Sequence, residues 1–191
     1  MSNKSYKILS FNACILPPMM TNAGARDDQK QTRIKLFFED ISSSYDILLF
    51  QEVWEGMWST KSNSAIQSVI KYGKQYNFNY SHHLPRSFLQ ICSSGLLILS
   101  KFPITSASAH TFQSSTGVQC FVPNGVLHST ISLPSSSGDS IPIDFFVTHI
   151  HAGPLDSAFL NDTKTSRREI NCCLKTYKNH FYDFQSRLVS I

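Results

Sequence analysis

The chain has 191 residues, 41% of them apolar and 16% charged, and a net charge of +4. These proportions describe a globular chain long enough for one domain with a core of its own, and they exclude an intrinsically disordered polymer. No run of about 18 apolar residues occurs, so no membrane-spanning helix is expected.

The first residues, Met1-Ser2-Asn3-Lys4-Ser5-Tyr6-Lys7, lead straight into a strand-like run and lack the apolar stretch of a secretory signal. The expected location is therefore cytoplasmic, with peripheral membrane contact compatible with the small positive charge. Five cysteines, Cys14, Cys92, Cys120, Cys172 and Cys173, form no CxxC pair and no zinc-like spacing. They are expected to be reduced thiols that pack as small apolar groups.

In chain order, Tyr6-Lys7-Ile8-Leu9-Ser10-Phe11-Asn12 reads as a strand that ends at a polar residue, with Pro17-Pro18 beyond it. Residues 28–43 read as a helix, because Ile34, Phe37, Phe38 and Ile41 recur at i, i+3, i+4 and i+7. Asp46-Ile47-Leu48-Leu49-Phe50-Gln51-Glu52 is nearly all apolar, the pattern of a strand buried on both faces. Residues 62–72 carry a second helical stripe through Ile66, Val69 and Ile70. Strands follow. Residues 95–100 form a buried run, and residues 125–133 place Leu127, Ile131 and Leu133 at even spacing. Residues 141–150 place Ile141, Ile143, Phe145 and Val147 on one face, which His149 continues. Pro134-Ser135-Ser136-Ser137-Gly138-Asp139 between them is a hairpin loop. A last helix is expected over residues 165–188, opened by a Ser166/Glu169 capping box. The order of strands and helices implies layered α/β architecture in a single domain over residues 1–191.

Three polar residues stand at the ends of expected strands: Asn12, Glu52 and His149. A rigid sheet aims side chains at its strand ends into one crevice. A carboxylate after a buried apolar strand is costly unless it is paired or binds a cation. Each residue by itself also fits a plainer role: Asn12 a turn cap, Glu52 a salt bridge, His149 a satisfied core histidine. Their joint placement points to a site.

Four segments carry a family resemblance. They are Leu9-Ser10-Phe11-Asn12, then Asp46 through Glu52-Val53-Trp54, then Ser94-Gly95-Leu96-Leu97-Ile98-Leu99-Ser100-Lys101-Phe102-Pro103-Ile104, then Thr148-His149-Ile150-His151-Ala152. In this order and spacing they resemble the successive motifs of the endonuclease/exonuclease/phosphatase superfamily. Glu52-Val53-Trp54, the Thr-His-Ile-His-Ala run and Gly125-Val126-Leu127-His128 lean toward its neutral sphingomyelinases. The resemblance implies a four-layer α/β/β/α sandwich of the deoxyribonuclease-like type. It implies a Mg²⁺-dependent phosphodiesterase that hydrolyses sphingomyelin to ceramide and phosphocholine. Glu52 matches the family's magnesium-binding glutamate, Asn12 the asparagine beside the metal and phosphate, and His149 the histidine at the scissile phosphate. His151 shares strand parity with His149 and is a candidate substrate contact, as is Asn124.

Two departures accompany the match. Neutral sphingomyelinases carry lysine where this chain has Asn124, which can donate hydrogen bonds but brings no charge. The family continues after the last helix with Gly-Asp-x-Asn and later Ser-Asp-His, and this sequence contains neither. The expected fold is therefore incomplete at its C-terminal side, with an open sheet edge or an uncovered apolar face. The expected partner is a phospholipid or sphingolipid at a membrane surface. Nucleic acid is a weaker expectation, because Lys and Arg are spread along the chain. A nuclease or phosphoinositide phosphatase of the same superfamily, and a non-catalytic remnant, are the alternatives.

Overall fold

The computed structural model describes residues 4–16, 29–57, 59–60, 64–84, 86, 90–112 and 124–149. Strand β1 spans Ile8–Ile15, helix α1 Lys30–Asp40, β2 Ile47–Val53 and α2 Ala65–Gln75. Then follow β3, Tyr80–His83, β4, Leu97–Ser100, β5, Ile104–Thr111, β6, Gly125–Pro134, and β7, Ser140–Thr148. One sheet has the order β1-β2-β4-β3 and the other β5-β6-β7. β1 and β2 are parallel and joined through α1, the crossover that parallel neighbours require. All the other pairings are antiparallel.

Two apolar clusters build the layers. On one face of the first sheet, Leu48, Phe50, Leu97 and Leu99 pack with Ile34, Phe37 and Phe38 of α1 and Ile66 and Val69 of α2. On its other face, Ile47, Leu96 and Ile98 meet Leu127, Ile131, Phe145 and Val147 of the second sheet. β2 and β4 are thus buried from both sides, which is why their sequences are continuous apolar runs. His82 Nδ1 and Ser129 Oγ lie 2.9 Å apart across this sheet-to-sheet layer, so a polar pair meets its need for partners inside the core.

Local chemistry sets the element ends. Ser64 caps α2, its Oγ accepting from Gln67 N–H at 3.1 Å. The helix begins there, a little later than the apolar stripe suggests. α1 is shorter than its periodicity implies. Ile41 is its C-terminal cap, is 40% exposed, and does not share the buried stripe of Ile34, Phe37 and Phe38. The expected hairpin between β6 and β7 forms, with Ser135 N–H donating to Asp139 O and Gly138 at φ 94°.

Among the described residues β1 has one strand neighbour, β2. An apolar cavity of about 410 Å³ opens between β1 and α1, lined by Phe11, Ala13, Ile15, Leu36, Phe37 and Ile41 among others. Among the described residues, the side of β1 away from β2 carries no strand, and exposed apolar side chains, Phe11 and Leu36 included, lie beside it. The expected helix over residues 165–188 lies outside the described residues. No described helix is long and apolar enough to cross a membrane.

Candidate functional site

β1 does not stop at Asn12, as its sequence suggests, but runs on to Ile15 through a bulge. Asn12 pairs with Gln51 and Ile15 with Val53, so Ala13 and Cys14 together oppose Glu52. Such a bulge bends the strand and redirects its side chains, and bulges are common beside active sites. The backbone is unusual on both sides of it. Cys14 has φ 48° and Glu52 has φ 58°, a left-handed conformation uncommon outside glycine. Residues held this way persist only where surrounding contacts fix them.

Those contacts are specific. Cys14 N–H donates to Asn12 Oδ1 at 3.0 Å, closing a turn around the asparagine side chain. That leaves Asn12 Nδ2 to donate to Glu52 Oε1 at 2.8 Å. Val53 N–H donates to Gly95 O and Trp54 N–H to Ile15 O, which tie the end of β2 to both neighbours. Gly95 has φ 68°, and a Cβ there would sit 3.2 Å from the Glu52 Cα and 3.1 Å from the Trp54 ring. Glycine is needed for both its backbone conformation and this close approach.

His149 arrives from the second sheet. It follows β7 directly and places Nε2 3.1 Å from Glu52 Oε1. The side chains of His149 and Glu52 are 26% and 20% exposed, so the pair is shielded yet open to solvent and ligand. Three of the sequence-selected residues thus converge: one carboxylate oxygen receives Asn12 Nδ2 and faces His149 Nε2. A carboxylate only accepts, so the His149 proton belongs on Nε2 in this arrangement. Asn124 lies at the same end of the second sheet. Its carbonyl accepts from Phe112 N–H, and Gly125 O accepts from Thr148 Oγ1, next to His149. His151 lies outside the described residues.

The donor set bears on a metal. Glu52 Oε1 is engaged, which leaves the second carboxylate oxygen for a hard cation, and Asn12 holds the carboxylate in one orientation. Mg²⁺ prefers oxygen ligands and keeps several waters when one or two carboxylates hold it. A single oriented Glu52 fits that mode of binding. No group of three or more His, Cys, Asp or Glu side chains able to hold a metal occurs among the described residues.

Sequence reasoning missed two features. One is Arg33 of α1, whose Nη2 donates to the carbonyls of Ala13 at 2.6 Å and Cys14 at 2.9 Å. The other is a polar network on the face of the second sheet turned away from the first. There His128 Nε2 lies 2.9 Å from Asp144 Oδ1, Thr130 Oγ1 donates to the same oxygen, and Phe146 stacks on the imidazole. His128 ends the Gly125–His128 run, but no motif marks Arg33, Thr130 or Asp144, because their contacts depend on which helix and strands become neighbours.

Residues 9–169 match the Endonuclease/Exonuclease/phosphatase family. No curated protein matches the chain. Among solved structures, a β-hairpin deletion mutant of beta toxin from Staphylococcus aureus superposes with a TM-score of 0.71 at 19% identity, covering 90% of this chain and 61% of that one. Sphingomyelinase C from Streptomyces griseocarneus gives a TM-score of 0.67 at 15% identity, covering 92% and 60%. A beta-toxin variant from Staphylococcus aureus with bound magnesium ions gives 0.69 at 19% identity, covering 91% and 60%. This chain therefore spans about three fifths of the length of the structures it resembles, and it shares their fold. Two facing sheets with helices packed outside, in the strand order described, are the deoxyribonuclease-like α/β sandwich, and the chain belongs to the Endonuclease/Exonuclease/phosphatase family.

Proposed function

We propose that this chain carries the Mg²⁺- and phosphate-binding half of a phosphodiesterase site of the neutral sphingomyelinase type, with a sphingomyelin-like lipid as substrate. The observation that carries the reading is the convergence of Asn12 Nδ2 and His149 Nε2 on Glu52 Oε1. Glu52 is the cation ligand. Mg²⁺ bound there would supply Lewis-acid neutralisation of the phosphoryl oxygens. Asn12 fixes the carboxylate through its amide. With the second carboxylate oxygen on a cation and Asn12 Nδ2 kept on Oε1, the His149 Nε2 proton would be available to a phosphoryl oxygen, where negative charge grows during hydrolysis. Asn124, at the same sheet end, is a further phosphate contact in this reading, and so is His151.

A lipid rather than a nucleic-acid substrate is supported by Met57, 48% exposed and five residues beyond Glu52 in the chain, and by Trp54 packed at Gly95. Apolar and aromatic groups near a site suit a membrane surface. The likeness in fold to a sphingomyelinase C supports this choice. A second reading, in which the chain binds but does not turn over, is favoured by the single carboxylate of the described site.

The test is release of phosphocholine from sphingomyelin vesicles, with duplex DNA as the competing substrate, in Mg²⁺ and in EDTA. Hydrolysis of sphingomyelin that needs Mg²⁺ and falls at least about 100-fold in Glu52→Gln is expected. Hydrolysis indifferent to Glu52→Gln overturns the assignment. Mg²⁺ binding at Glu52 without turnover supports the second reading.

A further inference from the structure

Arg33 belongs to none of the four motifs, yet it reaches the site's scaffold. It sits in the first turns of α1, four residues before Phe37. Phe37 stacks on Phe11 of β1 with ring centroids 4.9 Å apart and meets Phe50 of β2 at 5.2 Å. That packing fixes α1 over the first sheet. A side chain one turn earlier on the same helix face then projects over the residues that follow Phe11. This is where Arg33 Nη2 finds the carbonyls of Ala13 and Cys14.

Those two carbonyls belong to the residues of the bulge that oppose Glu52. A bulge interrupts the ladder and leaves backbone groups without their usual cross-strand partners. Half-buried carbonyls need a donor, and a guanidinium supplies more than one N–H in a fixed plane. The bulge also sets Cys14 at φ 48°, and the Cys14 N–H in turn holds Asn12 Oδ1. Asn12 Nδ2 is thereby turned onto Glu52 Oε1. The contacts form one chain: guanidinium, bulge carbonyls, bulge N–H, asparagine amide, carboxylate.

We propose that Arg33 is a positioning residue for the Glu52 site, acting by clamping the Ala13–Cys14 bulge so that Asn12 orients the carboxylate for Mg²⁺. The functional consequence rests on the phosphodiesterase reading above; the geometric one stands on the contacts alone. Groups that orient a metal ligand in this way are worth about 10–100-fold in metal affinity.

The experiment uses the full chain labelled with ¹⁵N. Two readouts are taken: the Asn12 side-chain amide resonances, identified by their loss in Asn12→Ala, and Mg²⁺ affinity from titration of the free metal ion. In Arg33→Met the Asn12 amide should move toward the position of a solvent-exposed asparagine, and Mg²⁺ affinity should fall about 10–100-fold. Arg33→Lys should recover part of both, since an ammonium carries donors without the planar fork. Lys35→Met, on the exposed side of α1, should change neither readout. An Arg33→Met chain that loses stability but keeps the Asn12 resonances and Mg²⁺ affinity overturns the proposal. Should Arg33→Met fail to fold, the amide position in folded Arg33→Lys decides: displaced supports the clamp, unchanged overturns it. A wild-type chain without any Mg²⁺ response removes the proposed function, while the Asn12 amide in the Arg33 variants still decides the clamp.

Discussion

Replacing Gly95 with alanine tests how backbone packing shapes the Glu52 site. Gly95 has φ 68°, and an alanine in the left-handed region costs about 1–2 kcal/mol relative to glycine. Lower unfolded-state entropy returns about 0.4–1 kcal/mol. The added methyl would stand 3.1 Å from the Trp54 ring and 3.2 Å from the Glu52 Cα, closer than ordinary carbon contacts. Crowding of this kind costs about 1–3 kcal/mol. Together these give a net loss of about 1–5 kcal/mol, read as a shift of the urea midpoint at constant slope. Gly138→Ala is the control, because Gly138 has φ 94° and a methyl placed there would meet no atom within 4 Å. It carries the backbone cost without the crowding. Gly95→Ala should therefore be the more damaging of the two, and it alone should weaken Mg²⁺ binding, because relief of the contact displaces Glu52. Equal losses in the two variants, with Mg²⁺ binding intact in both, would refute the close-approach argument.

Other expectations follow from particular contacts. Ser64→Ala removes the α2 cap and the hydroxyl that donates to the Glu55 carboxylate, so a loss of about 0.5–2 kcal/mol toward the upper end is expected in the same denaturation assay. Stability should also depend on pH through His82 and His83. Burial lowers the His82 pKa first, with the neighbouring His83 and His128 adding to it, and burial likewise lowers that of His83 against the opposing charge of Glu55. The native state thus refuses protons that the unfolded chain accepts below the ordinary value of 6.5, and stability falls as pH drops through that value. Urea midpoints measured from pH 7.5 to pH 5 should decline, and less steeply in a chain carrying His82→Gln and His83→Gln; an unchanged slope would show that these histidines do not contribute.

Much of the fold is written in burial patterns. β2 and β4 lie between two apolar layers, so their side chains are apolar on both faces and the runs are legible without a structure. The stripes of α1 and α2 are legible because each helix has one face on the sheet. β3 and β5 are not legible, for the converse reason. Among the described residues each is an edge strand, β5 is exposed along nearly its whole length, and Ile104–Thr111 shows neither an apolar run nor clean alternation. The sequence alone determined the residue types that make the site, because Asn12, Glu52 and His149 each follow a run whose strand character is local. Tertiary structure decided how they meet. The bulge opposite Glu52, the Arg33 clamp upon it and the His149–Glu52 contact join elements far apart in the chain, and such contacts exist only once two sheets have packed face to face and a helix has been keyed to one of them.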